Sequence, residues 1–252
     1  MTWPEGTAKA IARSLDIYYR DAARTARMDR LNAEFVRPGC LAFDIGAHLG
    51  DRTASYRRLG ASVVAVEPQS AVMRALRLIH GRDRQVRLVN ATVGAVEGET
   101  ILFVNTTNPT VSTASRDLVN AAPHAAAWRD QIWDREIRTR MTTLDRLIAE
   151  HGVPDFVKVD VEGHEADVLK GLSEPIRTLV FEFTTLQRSV AITALERLQS
   201  LGRYRFNYSL GESHRLVFER WARAEDMAGV IENLPEDANS GDIYAQADVI
   251  GV

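Results

Sequence analysis

The chain has one cysteine, Cys40, among its 252 residues. A single thiol excludes an intramolecular disulfide and any zinc site built on cysteine. Lysine is nearly as scarce: Lys9, Lys158 and Lys170 stand against 28 arginines, a bias we assign to genome composition. No run of eighteen apolar residues occurs, so no helix is expected to span a membrane. The first residues, Met1-Thr2-Trp3-Pro4-Glu5, lack the basic and apolar regions of a secretory leader, so a cytoplasmic protein is expected. Nor is there a global positive charge. The net charge is −3, which argues against a dedicated nucleic-acid binder. What is present is 45% apolar and 26% charged residues, enough for a sizeable core and too apolar for bulk disorder.

No internal repeat appears. Residues 8–36 carry apolar side chains at helical spacing (Ala8, Ile11, Ala12, Leu15, Tyr18, Tyr19, Ala22, Leu31, Phe35) and stop at Pro38-Gly39. That predicts an N-terminal helical extension over 1–37. Short apolar strands and helices then alternate. Strands are expected at Leu41–Gly46, Ser62–Glu67, Val86–Asn90, Phe156–Asp160 and Thr178–Phe183. Helices are expected at Arg52–Leu59, Ala71–His80 with Ser70 as its cap, Thr142–Glu150, Glu162–Leu172 and Gln187–Leu201. Such alternation with short links is the mark of right-handed βαβ units and a parallel sheet. It is interrupted by an extra strand, Glu99–Asn105, and by residues 106–140, read as an insertion with a helix near Ala121–Glu136. Tyr204–Leu210 and Arg215–Phe218 read as a closing antiparallel pair around Gly211. Residues 224–252 read as a helix followed by loop. All of this is expected to form one domain.

The first chemical signal is Asp44-Ile45-Gly46-Ala47-His48-Leu49-Gly50-Asp51, placed where a buried strand turns into a helix. Glycine permits the tight turn and a close ligand approach, and the helix start supplies free N–H groups. Glu67, about 20 residues on, ends the next strand, where an acid accepts both hydroxyls of a ribose. A dinucleotide loop favours Gly-x-Gly-x-x-Gly; here His48 replaces the middle glycine. Its Cβ would crowd a pyrophosphate, and Asp44 would repel one. The same acid suits a cationic amino-acid moiety. S-adenosylmethionine, carrying a sulfonium and an ammonium, therefore fits better than NAD. A turn without a ligand is the plain alternative.

Taken together, Asp44–Asp51, Val66-Glu67-Pro68, Thr143-Leu144-Asp145, Lys158-Val159-Asp160-Val161-Glu162-Gly163-His164-Glu165 and Val168-Leu169-Lys170-Gly171 resemble the FkbM-type methyltransferases over about residues 40–185. The resemblance implies a class I, Rossmann-like α/β fold: a mostly parallel seven-stranded sheet with helices on both faces, to which the periodicity of residues 8–36 adds the N-terminal helix. It also implies S-adenosylmethionine as donor and, in most cases, O-methylation of a small molecule or sugar. The segments outside it, 1–36 and 106–140, are those expected to shape the acceptor pocket, the latter as a lid.

Ligands of such sheets gather at the carboxyl ends of the strands. Gly46 and Gly50 are assigned backbone contacts with the methionine part of the cofactor, with Asp44 and His48 beside it. Glu67 takes the ribose, and Asn90 and Ala91 meet the adenine, although Asn90 can equally cap its own loop. Asp160 is assigned to both cofactor and chemistry, as acceptor-orienting group, proton acceptor or ammonium partner. Glu162, His164 and Glu165 are the further catalytic candidates. A helix start favours acids through its dipole in any case, and Glu165 can cap it. No metal is expected, although Asp160 with Glu162 or Glu182 could form an oxygen-rich magnesium site. Lys158, unusual inside a strand, is expected to pair with an acid such as Glu182. Trp128 and Trp133 either stack on an acceptor or pack on the sheet. A catalytically silent cofactor-binding protein and an NAD-dependent oxidoreductase remain as alternatives. A nucleic-acid methyltransferase is disfavoured, because no Asn/Asp-Pro-Pro-aromatic block follows the fourth strand.

Overall fold

The computed structural model describes residues 6–248. The first five residues, read above as free of a leader, and the last four of the tail lie outside them. The chain begins with helices α1 (Thr7–Tyr19) and α2 (Ala22–Asn32). They are two helices where one was expected. Asp21 breaks the run by capping α2, its carboxylate accepting from the Arg24 amide at 2.8 Å.

Strand β1 (Leu41–Ile45), helix α3 (Asp51–Arg58), strand β2 (Ser62–Val66), helix α4 (Ser70–His80) and strand β3 (Val86–Val89) follow as expected. One detail differs: Gln69 is the cap of α4 and Ser70 is already helical. A small second sheet holds β4 (Thr92–Val93), β5 (Gly98–Val104) and β6 (Arg135–Thr142), in the order β4-β6-β5. Between β5 and β6 lies α5 (Arg116–Ala121). After β6 come α6 (Leu144–His151), β7 (Phe156–Val159), α7 (Glu165–Lys170), β8 (Thr178–Thr184), α8 (Arg188–Leu201), β9 (Tyr204–Leu210), α9 (Ala224–Asn233) and β10 (Ser240–Ala247).

The main sheet has seven strands in the order β3-β2-β1-β7-β8-β10-β9. All neighbouring pairs through β8 are parallel, and β10 runs antiparallel to both β8 and β9. Alternate strand residues feed opposite faces, as the two-residue period of a strand requires. Phe43, Ile45, Val64, Val66, Val157 and Val159 pack with Leu169, Leu195 and Met227 of α7, α8 and α9. Ala42, Val63, Ala65 and Phe156 pack with Leu31, Tyr56 and Leu76 of α2, α3 and α4. The expected class I methyltransferase sheet with helices on both faces is what forms.

Three expectations fail. The helix over Ala121–Glu136 does not exist: α5 ends at Ala121, Ala122–His124 forms one 3-10 turn around Pro123, and β6 begins at Arg135. In β6 the alternation Ile137, Thr139, Met141 against Arg138 and Arg140 is a strand pattern. The expected partner of β9, Arg215–Phe218, is not a strand. Asn207 holds that segment instead, accepting from the Phe218 amide at 3.0 Å and donating to its carbonyl at 2.9 Å. The true partner is β10, from the tail read as loop. Finally, α7 starts at Glu165, because Glu162 and Gly163 are left-handed at φ +56° and +83°.

Candidate active site

Every parallel strand delivers its carboxyl end to one edge, and two adjoining cavities open there. The first, of about 500 Å³, is lined by Gly46, His48, Glu67, Ala91, Asp160, Glu162 and His164 among others. The second, of about 760 Å³, is lined by Asp44, His48, Arg52, Asp160, Glu162, Glu182, Glu212 and Asp242 with Tyr18. Gly46, His48, Asp160 and Glu162 border both cavities.

The first cavity is organised by the turn after β1. Gly46 (φ +83°) passes so close to β7 that a Cβ there would stand 1.8 Å from the Asp160 carbonyl oxygen. Glu67, buried at the end of β2, ties the turn down: its carboxylate accepts from the His48 amide at 3.1 Å and the Gln69 amide at 2.7 Å. Burial pushes Glu67 up to about 7, against those two hydrogen bonds. Each carboxylate oxygen retains a lone pair for a hydroxyl donor. His48 is in the left-handed region (φ +48°). Burial lowers its imidazole to about 4, so it is neutral; its Nε2 is enclosed with no hydrogen-bond partner among the described residues, and Tyr18 packs edge-on to it at 5.9 Å.

Asp44 borders the second cavity. It accepts from Thr53 Oγ1 at 2.5 Å, and burial raises it to about 6. Asp160 is the pivot. Burial pushes it up, but Lys158 Nζ at 3.2 Å and Arg52 Nη2 at 3.7 Å outweigh this and keep it ionised. Lys158, 2% exposed, takes Asp242 as its closer partner at 2.7 Å. The expected pairing with Glu182 is therefore replaced by Asp242, which lies across from Glu182 in the β8–β10 register. Glu162 and Glu182 behave oppositely to Asp160. Burial first, and then neighbouring acids, push both well above the usual carboxylate range.

Of the remaining expected site residues, Ala91 and His164 line the first cavity, while Asn90, Gly50 and Glu165 serve the local backbone or packing. Asn90 donates to the carbonyls of Glu67 at 2.7 Å and Pro68 at 3.0 Å. Both amide hydrogens are thus spent on its own loop, and Ala91 alone of the pair reaches the cavity. Gly50 (φ +81°) faces α4, where a Cβ would meet Leu76 and His80 at 2.6–2.7 Å. Glu165 turns inward and clamps its loop, accepting from the Val161 amide at 3.0 Å and the Gly163 amide at 3.3 Å. His164 does line the first cavity; burial lowers its basicity, and Nδ1 lies 3.4 Å from Asp167.

Sequence reasoning missed Arg52, Glu212 and Asp242, and read Tyr18 only as a packing residue. Arg52 carried a faint signal, since a cation in the first turn of a helix opposes the dipole. Glu212 is drawn well below its usual range, burial being outweighed by His214, Arg52 and Arg24. The insertion also contributes. Thr113 Oγ1 donates to the Glu162 carbonyl at 2.6 Å, fixing the left-handed turn. Trp128 and Thr110, with Ile17 and Tyr18 of α1, border an opening that leads to Glu162 and Glu182.

These residues fit S-adenosylmethionine. The turn at Gly46 leaves no side chain in the way, Glu67 has oxygens that could accept from a ribose, and Asp44 and Asp160 are acids that could face a cationic amino-acid part. A pyrophosphate placed there would meet the carboxylates of Asp44, Glu67 and Asp160, whose charge disfavours it.

No curated protein matches the sequence. Among solved structures, a TehB-like SAM-dependent methyltransferase from Corynebacterium glutamicum ATCC 13032 Kitasato aligns at 10% identity and TM-score 0.48, over 94% of each chain. The precorrin-6y C5,15-methyltransferase of Geobacter metallireducens GS-15 aligns at 14% identity and TM-score 0.44, over 89% of this chain and 87% of that one. Aeropyrum pernix fibrillarin, crystallised with natively bound S-adenosyl-L-methionine, aligns at 13% identity and TM-score 0.46, over 88% and 76%. Residues 44–208, well over half of the chain, match the family model of the Methyltransferase FkbM domain, and the chain belongs to this family of S-adenosylmethionine-dependent methyltransferases.

Proposed function

We propose that the protein methylates a hydroxyl group of a small molecule or sugar. The observation that carries this reading is the wall shared by the two cavities. Asp160 and Glu162 border the cofactor cavity on one side and, with Glu182, an acid-lined cavity with its own opening on the other.

When bound, S-adenosylmethionine supplies a methyl group on a sulfonium, which an acceptor oxygen attacks in line, from the side opposite sulfur. The protein's part is to bring that oxygen to about 3 Å and hold it there, the source of much of the acceleration in such reactions. Glu67 accepts the ribose hydroxyls. Asp44 and Asp160 face the cationic end of the donor, and Asp160 stays ionised because Lys158 and Arg52 neutralise it. Glu162 faces the acceptor. Its basicity without ligands is high because it is buried and, next, because acids surround it. Beside the positively charged donor its ionised form is favoured, which readies the carboxylate to take the hydroxyl proton. Such a base contributes ~10²–10⁴ in rate. Helix α1 and the segment 106–140 frame the acceptor's approach, the latter as a lid.

A screen of hydroxyl-bearing acceptors with methyl-labelled donor tests this reading. Label should appear as a methyl ether, and Asp160→Ala should abolish transfer while keeping the fold. A protein that binds the donor tightly but labels nothing across sugars, polyketides and phenols would be a silent binder. Transfer to amines or carbon alone would refute the hydroxyl assignment.

A further inference from the structure

From the geometry on the acceptor side we infer a binding site for one divalent cation, magnesium or manganese, held by Asp160, Glu162 and Glu182. One oxygen from each carboxylate lies within 4.8 Å of the others. Ligand oxygens of an octahedral ion with bonds of about 2.1 Å stand about 3 Å apart when adjacent and about 4 Å when opposite, so small side-chain rotations bring all three onto one ion. The donor set is purely oxygen, which selects hard cations and disfavours zinc or copper.

Proximity of acids alone does not make a site. The second observation is what their neighbours leave undone. Glu162 is 9% exposed and borders both cavities, yet among the described residues its carboxylate has no hydrogen bond and no ion pair. Glu182 Oε2 is enclosed and has no hydrogen-bond partner among the described residues, its carboxyl meeting only that of Asp160. The two cations close by are committed elsewhere. Lys158 bonds to Asp242 at 2.7 Å and reaches Asp160 at 3.2 Å. Arg52 lies 3.7 Å from both Asp160 and Asp242. Each therefore serves Asp160 and the acid beyond it. Glu162 and Glu182, on the cavity side, have no cation in ion-pair range among the described residues, and Lys158 offsets their burial only in part. A buried carboxylate without a partner is costly, and two of them beside an ionised Asp160 more so. A proton shared among them is one remedy; a divalent cation neutralises all three at once.

Three protein oxygens leave about half of an octahedral shell open. The open positions face the second cavity, where the acceptor enters. This deepens the function proposed above and rests on it for the acceptor: the molecule best held there carries two neighbouring oxygens, such as a vicinal diol or a hydroxy acid, which chelate the ion and present one oxygen to the donor.

The test does not need turnover. The full chain, stripped with a chelator, is titrated with manganese and followed by its paramagnetic resonance signal, with magnesium as competitor. One saturable site per chain is expected, displaced by magnesium. Glu162→Gln and Glu182→Gln should each weaken it by about tenfold or more. Both substitutions relieve repulsion, so both variants should fold, which circular dichroism checks. If either does not, the titration and competition in the unaltered chain still decide. Absence of bound manganese at millimolar concentration would overturn the site and leave the shared proton. Binding that survives both substitutions would place the ion elsewhere and overturn it too. Binding of S-adenosylhomocysteine, measured separately in chelator, tests the cofactor reading independently: its failure beside intact manganese binding would sink that reading and not this one.

Discussion

The carbonyl oxygen of Asp160 occupies the space where a side chain on Gly46 would begin, 1.8 Å from an ideal Cβ. The turn after β1 and the end of β7 are thereby fixed against one another, and both cavities are built around that contact. Gly46→Ala faces a left-handed φ of +83° and a backbone clash together. Gly39→Ala shares the φ (+84°) but meets nothing within 4 Å. Gly39→Ala should cost about 1 kcal/mol. Gly46→Ala should cost at least ~3 kcal/mol or prevent folding. Urea denaturation of the two variants checks this, and equal losses would refute the contact.

Glu67 makes the site pH-sensitive. Its pKa rises from 4.5 to about 7 on burial. An acid raised in the folded state is protonated there while still ionised in the unfolded chain. Stability should therefore fall as pH climbs from about 4.5 to about 7 and level off above, by on the order of 3 kcal/mol at most. Ligand binding runs the other way. A ribose needs the ionised acceptor, and Asp44, raised to about 6, must be ionised to serve a cation. Affinity for S-adenosylhomocysteine should drop by on the order of tenfold between about pH 8 and pH 5.5. Glu67→Gln should flatten much of that slope. Calorimetry across the range measures both, and a flat profile in the unaltered chain would contradict the assignment.

The buried ion pair in β7 should dominate a stability scan. Removing one partner of such a pair strands the other, typically at 3–5 kcal/mol. Lys158→Met should show a loss towards the lower end of that range, since it leaves Asp160 and Asp242 with Arg52 alone, 3.7 Å from each. Lys158→Met with Asp242→Asn should recover part of it. A double-mutant cycle by chemical denaturation measures the coupling; additive losses would mean that the pair is not coupled.

How far the sequence reached depends on whether an element announces itself locally. The β1 turn, Glu67 and the Asp160–Glu165 block were legible because each lies at a strand end followed by glycine, proline or a helix start. The parallel strands were legible as short β-branched runs. Asp242 was not. Its strand closes the sheet from the far end of the chain, after a polar stretch, and nothing nearby signals that it will lie beside Glu182. Lys158 could be recognised as needing an acid, but not which one, because pairing across β8 and β10 is a long-range outcome. Asn90 and Glu165 were the right residue types at the right edge, yet local backbone amides and carbonyls claimed their hydrogen bonds first. Glu162 was read as helical. Its left-handed turn depends on Thr113, some 50 residues away.

The most direct test is titration calorimetry of the purified chain with S-adenosylhomocysteine and, separately, with NAD, repeated on Glu67→Ala. One site for the nucleoside, weakened about tenfold or more in the variant, with no heat from NAD, is the expected result. Binding of NAD without binding of S-adenosylhomocysteine would contradict the account at its centre.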